Sequence, residues 1–291
     1  MISKMRWAVL ILLFSTAWIA VAEDARPVVD ITNAPLEKIN RERLPTLYII
    51  GDSTVRGSGS GKGIVGWGER LSPYFDTNKV NVVNDAIAGR SARTFFTEGR
   101  WMRVSRSIKP GDFVIIQFGH NDQGRIGDPA NKHRADCRGV GPETVDDVMP
   151  DGSKMAVHTF GWYMAQFAAD AKSRGASVVI CSPIPHKQRW ENGRDFSDIA
   201  EWDAEVATAT GSSFLDLTMV VSEGYRKIGT AKVATLFADK GTHTTAEGAE
   251  FNAHCVVAGL ESLARDPLAA FFSDKGKAVE AYTPSTQGTA K

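Results

Sequence analysis

Short, almost purely apolar runs alternate with amphipathic stretches through most of the chain. Such runs are typical of strands that are buried on both faces, and amphipathic stretches are typical of the helices that cover them. The alternation therefore predicts an α/β protein with a parallel sheet and helices on both faces. The predicted strands are residues 46–50, 80–86, 113–118, 177–181 and 213–217.

Helical periodicity is found between and after these runs. The helices are predicted at residues 67–75, 99–108, 159–173, 197–208, 218–228 and 245–264. The last helix has the clearest start, because Thr244 followed three residues later by Glu247 forms a capping-box pattern. Two stretches lack such periodicity. Residues 123–155 are polar and rich in Gly, Pro and Asp, which is typical of either an active-site loop or a disordered insertion. Residues 265–291 are expected to be a flexible C-terminal extension.

The N-terminus has the pattern of an export signal. Lys4 and Arg6 precede an apolar stretch over residues 7–22, and Ala20-Val21-Ala22 fits a cleavage site before Glu23. We therefore expect residues 1–22 to be a signal peptide and the protein to be exported, to the periplasm or outside the cell. The alternative is an uncleaved membrane anchor, although the stretch is short for a full span. Residues 23–264 are long enough for one domain with a large core.

The charge balance and the cysteines exclude several classes of protein. The chain has 34 acidic and 34 basic side chains, so it offers no electrostatic case for binding nucleic acid or an anionic membrane. Its three cysteines, Cys137, Cys181 and Cys255, match no zinc spacing and are too few for a disulfide framework. Buried thiols are the simpler interpretation for Cys181 and Cys255, and no metal site is expected.

Four polar blocks follow predicted strands or precede the last helix. They are residues 51–54, 84–89, 119–122 and 239–243. In open parallel sheets, ligands bind beyond the C-terminal ends of the strands, so these blocks are the candidate site. A serine needs a base to become nucleophilic, and a histidine oriented by a carboxylate is the usual base near neutral pH. The negative oxygen of the intermediate needs N–H donors, which the backbone of Ser53, the backbone of Gly89 and the side chain of Asn121 can supply.

Taken together, the blocks resemble the SGNH (GDSL-like) hydrolase superfamily, and most closely its rhamnogalacturonan acetylesterase group. The resemblance is carried, in the family's order, by YIIGDSTV (48–55), GWGERL (66–71), NDAIAGRSARTFFTEGRW (84–101), QFGHND (117–122), HTFGWY (158–163), CSPIP (181–185) and HTTAEGAEFNA (243–253). It implies a three-layer flavodoxin-like fold with a central parallel sheet of about five strands. It also implies hydrolysis without a metal or other cofactor, an acetylated polysaccharide as partner (pectic rhamnogalacturonan, or xylan), and no obligate protein partner.

The same resemblance assigns roles by position. The nucleophile falls on Ser53, the base on His243, and the oxyanion donors on Ser53, Gly89 and Asn121. The carboxylate is less clearly assigned, because family members usually have it three residues before the histidine and here Asp239 lies four before it. We expect Asp239 to keep the role, with Gly241 absorbing the extra residue. Another strand-end carboxylate, Asp216 first, could instead supply the acid, or the site could be a Ser-His dyad.

The sequence also leaves room for rival functions. Residues 61–66 match G-x-G-x-x-G, but a dinucleotide-binding turn must follow a strand directly, and here ten residues intervene. The chain could also be an esterase or lipase acting on small or lipid esters, or an inactive carbohydrate-binding relative. Some further side chains could line the cleft, but a structural role is the preferred interpretation for them: His133, His158 and His186. His120 is expected to pack or hydrogen-bond locally, and His254 to be packed inside the last helix. Four tryptophans could stack on sugar rings, although buried packing explains them at least as simply: Trp67, Trp101, Trp162 and Trp190.

Overall fold

A computed structural model describes residues 43–57, 59, 63–192 and 195–284. The predicted signal peptide, and residues 61 and 62 of the G-x-G-x-x-G stretch, lie outside the described residues. The central sheet has five strands, all parallel: β1 (Thr46–Gly51), β2 (Asn81–Asn84), β3 (Phe113–Gln117), β6 (Ser177–Cys181) and β7 (Ser213–Leu215). Their order across the sheet is β2-β1-β3-β6-β7, which is the flavodoxin-like order. The predicted parallel five-stranded sheet is confirmed.

Eight α-helices surround the sheet in the described part of the chain. They are α1 (Ala92–Thr97), α2 (Arg100–Ser105), α3 (Phe160–Ser173), α4 (Ser197–Thr210), α5 (Leu217–Ile228), α6 (Thr230–Thr235), α7 (Ala246–Glu261) and α8 (Asp274–Lys277). Within the same part of the chain, every helix is too short or too polar to span a bilayer.

Side chains of β1 alternate between two hydrophobic cores, one on each face of the sheet. Leu47 and Ile49 pack in a core with α5 and α7, whereas Tyr48 and Ile50 pack in a core with α1 to α4. Because successive strand residues point to opposite faces, a strand covered on both sides must be apolar throughout. All six residues of β1 are buried. The result is a three-layer α/β architecture.

The segment 123–155, predicted to be a loop or a disordered insertion, contains regular structure. Strands β4 (Thr144–Val148) and β5 (Lys154–His158) pair as an antiparallel hairpin that is separate from the central sheet. Val145 and Val148 of this hairpin are more than half exposed, which explains why the sequence shows little apolar alternation there.

Two predictions about helices need correction. The stretch 67–75 forms two short 3₁₀ turns, Trp67–Arg70 and Ser72–Tyr74, because Pro73 interrupts a continuous helix. The N-cap of α7 is Thr245, whose hydroxyl accepts the N–H of Gly248. Thr244, the predicted cap, instead donates its hydroxyl to the carbonyl of Val65.

The boundary predicted at residue 264 also differs from the structure. Leu268, Phe272 and Val279 lie after it and are buried in the core that contains α5 and α7. The ring of Phe272 stacks on Phe75 with a centroid separation of 5.1 Å. The described residues 265–284 are therefore part of the packed domain, while residues 285–291 lie outside the described ones.

Candidate active site

The loops after β1, β2 and β3 meet at the C-terminal edge of the sheet, where the segment before α7 joins them. They form an open cleft of about 550 Å³ whose walls include Ser53, Gly89, Asn121 and His243. Strand β1 lies between β2 and β3. Parallel strands bring their C-terminal ends to one edge, so Ser53 is flanked by the loops that contain Gly89 and Asn121.

A chain of hydrogen bonds joins the predicted nucleophile, base and acid. The Oγ atom of Ser53 lies 2.8 Å from Nε2 of His243. On the other side of the ring, Nδ1 of His243 lies 2.5 Å from Oδ2 of Asp239. A carboxylate in this position fixes the ring and its tautomer, so that Nε2 is available to take the serine proton.

The loop before His243 explains how a four-residue separation is accommodated. Oδ1 of Asp239 accepts the backbone N–H groups of Gly241, Thr242 and His243 at 2.8–3.0 Å, which wraps the loop around the carboxylate. Partial burial disfavours ionisation of this carboxyl, but the hydrogen bonds from His243 and from the backbone outweigh it and hold the pKa of Asp239 below its ordinary value. Asp239 is therefore ionised at neutral pH.

Gly241 and Asp216 contribute differently from what the sequence indicated. Gly241 does not have a positive φ; instead, a Cβ at this position would overlap the side-chain amide of Gln188. Asp216 is the N-cap of α5, where Oδ1 accepts the N–H of Met219 and the hydroxyl of Ser182. Its carboxylate is thus engaged in helix capping.

Two N–H donors face the same cleft as Ser53. Gly89 has a φ of 75°, in the left-handed region that favours glycine. The Nδ2 atom of Asn121 donates to the carbonyl of Arg90 at 3.0 Å, and its Oδ1 accepts from Nη1 of Arg134 at 2.7 Å. These two bonds define the orientation of the amide, and the second hydrogen on Nδ2 remains available to another acceptor.

The loop that carries Ser53 is anchored by a buried ion pair that the sequence did not reveal. Oδ1 of Asp52 accepts both the N–H and the hydroxyl of Thr54 at 2.8 Å. Its Oδ2 lies 3.3 Å from Nδ1 of His120, whose Nε2 lies 3.0 Å from the carbonyl of Ile184. Burial disfavours the charge on His120, but the Asp52 carboxylate outweighs it and raises the pKa of His120. His120 therefore acts below the cleft surface, on the backbone that carries Ser53.

Asp122 connects the loops of the two residues predicted as oxyanion donors, Gly89 and Asn121. Its carboxylate accepts the N–H of Ala92 at 2.6 Å and that of Gly119 at 2.8 Å, and thereby joins the start of α1 to the loop after β3. The side chain is buried next to Asp136, and burial raises the pKa of both carboxyl groups. A raised pKa favours the neutral form, which lowers the cost of burying two carboxyl groups together.

The remaining sequence candidates lie elsewhere. None of His133, His158, His186 and His254 is among the described residues that line the cleft. Trp67, Trp101 and Trp190 are buried core residues, and Trp162 stacks on His158 at 3.8 Å. Cys181 and Cys255 are buried free thiols, as predicted.

The described residues meet neither the requirements of a metal site nor those of a dinucleotide-binding turn. Within ranges 43–57, 63–192 and 195–284, no group of three or more His, Cys, Asp or Glu side chains could hold a metal ion. Strand β1 ends at Gly51, so the G-x-G-x-x-G stretch does not begin at the end of a strand.

The cleft also has charged walls that motif reasoning missed. They include Arg90, Glu98, Lys132 and Arg134. The carboxylate of Glu98 accepts from Nε of Arg90 at 2.7 Å and from Nε of Arg100 at 2.5 Å. Lys132 and Arg134 belong to the segment 123–155. The sequence of this segment does not indicate that it reaches the cleft.

Comparisons with known proteins agree with this geometry. The sequence profile of the GDSL-like Lipase/Acylhydrolase family matches residues 49–251. The chain is 34% identical over 209 residues to the rhamnogalacturonan acetylesterase of Emericella nidulans, covering 70% of this chain and 79% of that protein. It is 30% identical over 225 residues to the probable rhamnogalacturonan acetylesterase YesY of Bacillus subtilis, covering 75% of this chain and 93% of that protein.

A solved structure supports the fold. The crystal structure of protein YxiM from Bacillus subtilis superposes with a TM-score of 0.59 at 24% sequence identity, over 75% of this chain and 56% of that one. This chain thus spans little more than half the length of that protein. The family profile and the two acetylesterase relatives carry the identification: the chain is a carboxylic ester hydrolase that belongs to the GDSL-like lipase/acylhydrolase family of SGNH hydrolases, in its rhamnogalacturonan acetylesterase group.

Proposed function

We propose that this enzyme removes acetyl groups from a plant cell-wall polysaccharide through an acetyl-Ser53 intermediate, with rhamnogalacturonan as the first candidate substrate and xylan as the second. The observation that carries the proposal is the hydrogen-bonded chain from Ser53 through His243 to Asp239, at the wall of a cleft that also contains Gly89 and Asn121. The choice of substrate rests on what the relatives from Emericella nidulans and Bacillus subtilis are named for.

The first half of the reaction forms the acetyl-enzyme. Nε2 of His243 takes the proton of Ser53 as Oγ attacks the ester carbonyl. The carbonyl oxygen becomes negative and is stabilised by the N–H groups of Ser53 and Gly89 and by Nδ2 of Asn121. When the intermediate collapses, the C–O bond to the sugar breaks and His243 returns the proton to the departing sugar oxygen. Asp239 keeps the ring oriented throughout.

The second half regenerates the enzyme. Water attacks the acetyl group with His243 again acting as base, the same donors stabilise the second oxyanion, and acetate leaves as Ser53 recovers its proton. Ser53, His243 and Asp239 are already within hydrogen-bonding distance of one another, so proton transfer requires little reorganisation of these side chains.

The cleft walls favour a polar substrate over a lipid. Among the described lining residues, Arg90, Glu98, Lys132 and Arg134 are charged, and Thr94 and Asn121 are polar. A fatty acyl chain would have to be placed against these groups, whereas sugar hydroxyl groups can form hydrogen bonds with them. This contrast ranks an acetylated polysaccharide above a long-chain ester.

The experiment measures acetate release from acetylated rhamnogalacturonan and acetylated xylan, and release of the chromophore from an acetyl ester and a long-chain ester, with Ser53→Ala as control. We expect kcat/KM to be highest on one of the two polysaccharides and lowest on the long-chain ester. Rapid-quench mass spectrometry should detect acetylation on the peptide that contains Ser53. Full activity of Ser53→Ala would refute the mechanism, and a preference for the long-chain ester would refute the substrate class.

We further propose that the enzyme acts outside the cytoplasm after removal of residues 1–22. The support is the charged start, apolar stretch and small-residue cleavage pattern of the sequence. Polymeric substrates of this kind lie outside the cell, which is where an exported esterase would meet them. N-terminal sequencing of the protein secreted by its host should begin at Glu23.

A further inference from the structure

The side chain of Asn121 is held at both ends of its amide group. Nδ2 donates to the carbonyl of Arg90 at 3.0 Å, and Nη1 of Arg134 donates to Oδ1 at 2.7 Å. A flipped amide would place its NH₂ against the guanidinium and its oxygen against the carbonyl, so both contacts would become repulsive. The bond from Arg134 is the charge-assisted one and is therefore the stronger of the two.

The guanidinium of Arg134 is itself fixed next to both oxyanion donors. Its Nε donates to the carbonyl of Asn131 at 3.0 Å. A Cβ placed on Gly89 would lie 3.9 Å from Nη1 of Arg134, so the cation reaches the Gly89 loop as well as Asn121. Arg134 thus connects the segment 123–155 with the two loops that supply N–H groups to the cleft.

The turn that presents Arg134 has an unusual backbone. Lys132 and His133, the two residues before it, have φ values of 52° and 54°, which residues other than glycine seldom adopt. Such conformations persist where the surrounding structure overdetermines them, and they cluster at functional sites. This turn must therefore be held by contacts from outside it.

A buried ion pair holds the turn. Nη2 of Arg93 on α1 lies 2.7 Å from Oδ2 of Asp147 on β4, and both side chains are at most 1% exposed. Asp147 also lies 3.1 Å from Nδ1 of His133, and Nη1 of Arg93 donates to the carbonyl of Ala135 at 3.0 Å. The turn is thereby fixed on both sides of Arg134, because residues 133 and 135 are bound to the same charge pair.

We propose that Arg134 is a positioning residue of the oxyanion hole: it orients the amide of Asn121 so that one Nδ2 hydrogen points to the reacting carbonyl. The inference rests on the oxyanion role given to Asn121 in the proposed function. It assigns a purpose to the segment 123–155, whose hairpin and buried ion pair hold the arginine against the catalytic loops. Arg134 acts through Asn121 and need not touch the substrate.

The test is a double-mutant cycle of Arg134→Ala and Asn121→Ala, with kcat and KM measured on a chromogenic acetyl ester and thermal unfolding measured in parallel. A small substrate is used because it has no further sugar units that could contact the enzyme. Loss of an oxyanion donor costs about 10²–10³ in kcat, and we expect loss of its orienting partner to cost about tenfold with KM within about twofold. In the Asn121→Ala background, Arg134→Ala should change kcat by less than about twofold, because the group it orients is gone.

Two further variants separate orientation from charge. Lys154→Ala removes one positive charge from an exposed position of the same segment that does not line the cleft, and it should not reproduce the tenfold loss in kcat. Arg134→Lys keeps the positive charge but lacks the planar guanidinium, which donates to Asn121 and to Asn131 at the same time. Compared with Arg134→Ala, it should therefore recover less than half of the lost kcat.

The inference is overturned if Arg134→Ala lowers kcat equally in the parent enzyme and in Asn121→Ala. It is also overturned if Arg134→Ala changes only KM, or if Arg134→Lys has the full kcat of the parent enzyme. Retention of activity by Ser53→Ala would instead refute the serine mechanism itself, so the two failures are distinguishable.

Discussion

Asp239 contacts His243 with one carboxylate oxygen and the backbone of the loop leading to it with the other. Oδ2 lies 2.5 Å from the ring Nδ1, while Oδ1 accepts the N–H groups of residues 241, 242 and 243. The extra residue relative to the usual spacing therefore lengthens a loop that closes on the carboxylate itself. Asp239 and His243 form one hydrogen-bonded unit whose geometry does not require the three-residue separation.

This arrangement predicts that Asp239→Asn lowers kcat by about 10³–10⁴, because an amide stabilises the wrong tautomer of His243. The matched control is Asp216→Asn, which removes the carboxylate that the sequence offered as an alternative. Asn is a good N-cap, so α5 should be preserved. We expect Asp216→Asn to retain more than half of the activity in a steady-state assay with an acetyl ester. A crippled Asp216→Asn beside an active Asp239→Asn would reverse the assignment.

Ser53 and His243 should behave as one unit in mutant kinetics. Ser53→Ala and His243→Ala are each expected to lower kcat by about 10⁴–10⁶, and the double variant should be scarcely slower than either single one. The physical reason is that His243 activates nothing once Oγ is absent. Circular dichroism should show a preserved fold in all three. Losses that multiply in the double variant would show that the two residues act independently.

The buried carboxyl group of Asp203 on α4 is expected to make the protein less stable as the pH rises. Its side chain is fully buried, neither oxygen has a hydrogen-bond partner among the described residues, and burial raises its pKa well above the ordinary value. A raised folded-state pKa means that the folded protein binds the proton more tightly than the unfolded chain does. The contribution of Asp203 to the free energy of unfolding is then greatest below about pH 4, the unfolded pKa, and falls as the pH rises.

Asp203→Asn should therefore become more stable than the parent enzyme as the pH increases from about 5 to 8, with a gain in Tm of ~2–4 °C for each kcal/mol. The control is Glu201→Gln, which removes a negative charge from an exposed position on the same helix. Thermal unfolding at several pH values measures both. A pH-independent difference between Asp203→Asn and the parent would contradict the buried-acid explanation.

The C-terminal segment should contribute strongly to stability. Phe272 is 1% exposed and stacks on Phe75, so Phe272→Ala is expected to lower the free energy of unfolding by about 3–5 kcal/mol through lost burial and a new cavity. Glu280→Ala, at an exposed position nearby, should change it by less than about 0.5 kcal/mol. Denaturant titration of the two variants measures both changes in the free energy of unfolding. Equal, small effects would restore the interpretation of this segment as a flexible extension.

The central sheet could be predicted because its strands carry a local signal. Residues Ser177–Cys181 are apolar over almost their whole length, which is typical of a short strand covered on both faces, and the observed strand has those bounds. The 3₁₀ turns around Pro73 and the cap at Thr245 were predicted less well. Pro73 interrupts the helical pattern of the first stretch, and at the start of α7 the adjacent residues Thr244 and Thr245 have the same side-chain chemistry and compete for the cap.

The site divides in the same way. Ser53, Gly89, Asn121 and His243 follow strands or precede a helix, so topology alone predicts that they meet. Arg134 and Asp147 could not be placed, because their positions depend on a hairpin with exposed valines and on a buried ion pair between residues 54 positions apart. Buried polar contacts of this kind leave no periodic pattern in a sequence.

The hydrogen bond between Ser53 and His243 joins residues that are 190 positions apart. At ribosomal rates of about 5–20 residues per second, the base is synthesised about 10–40 s after the nucleophile. On the proposed mechanism, a nascent chain has all three oxyanion donors long before it has a proton acceptor. Ester hydrolysis therefore requires the segment that precedes α7 to be in place, so turnover of a chromogenic ester reports that this late-synthesised segment has packed against the loop of Ser53.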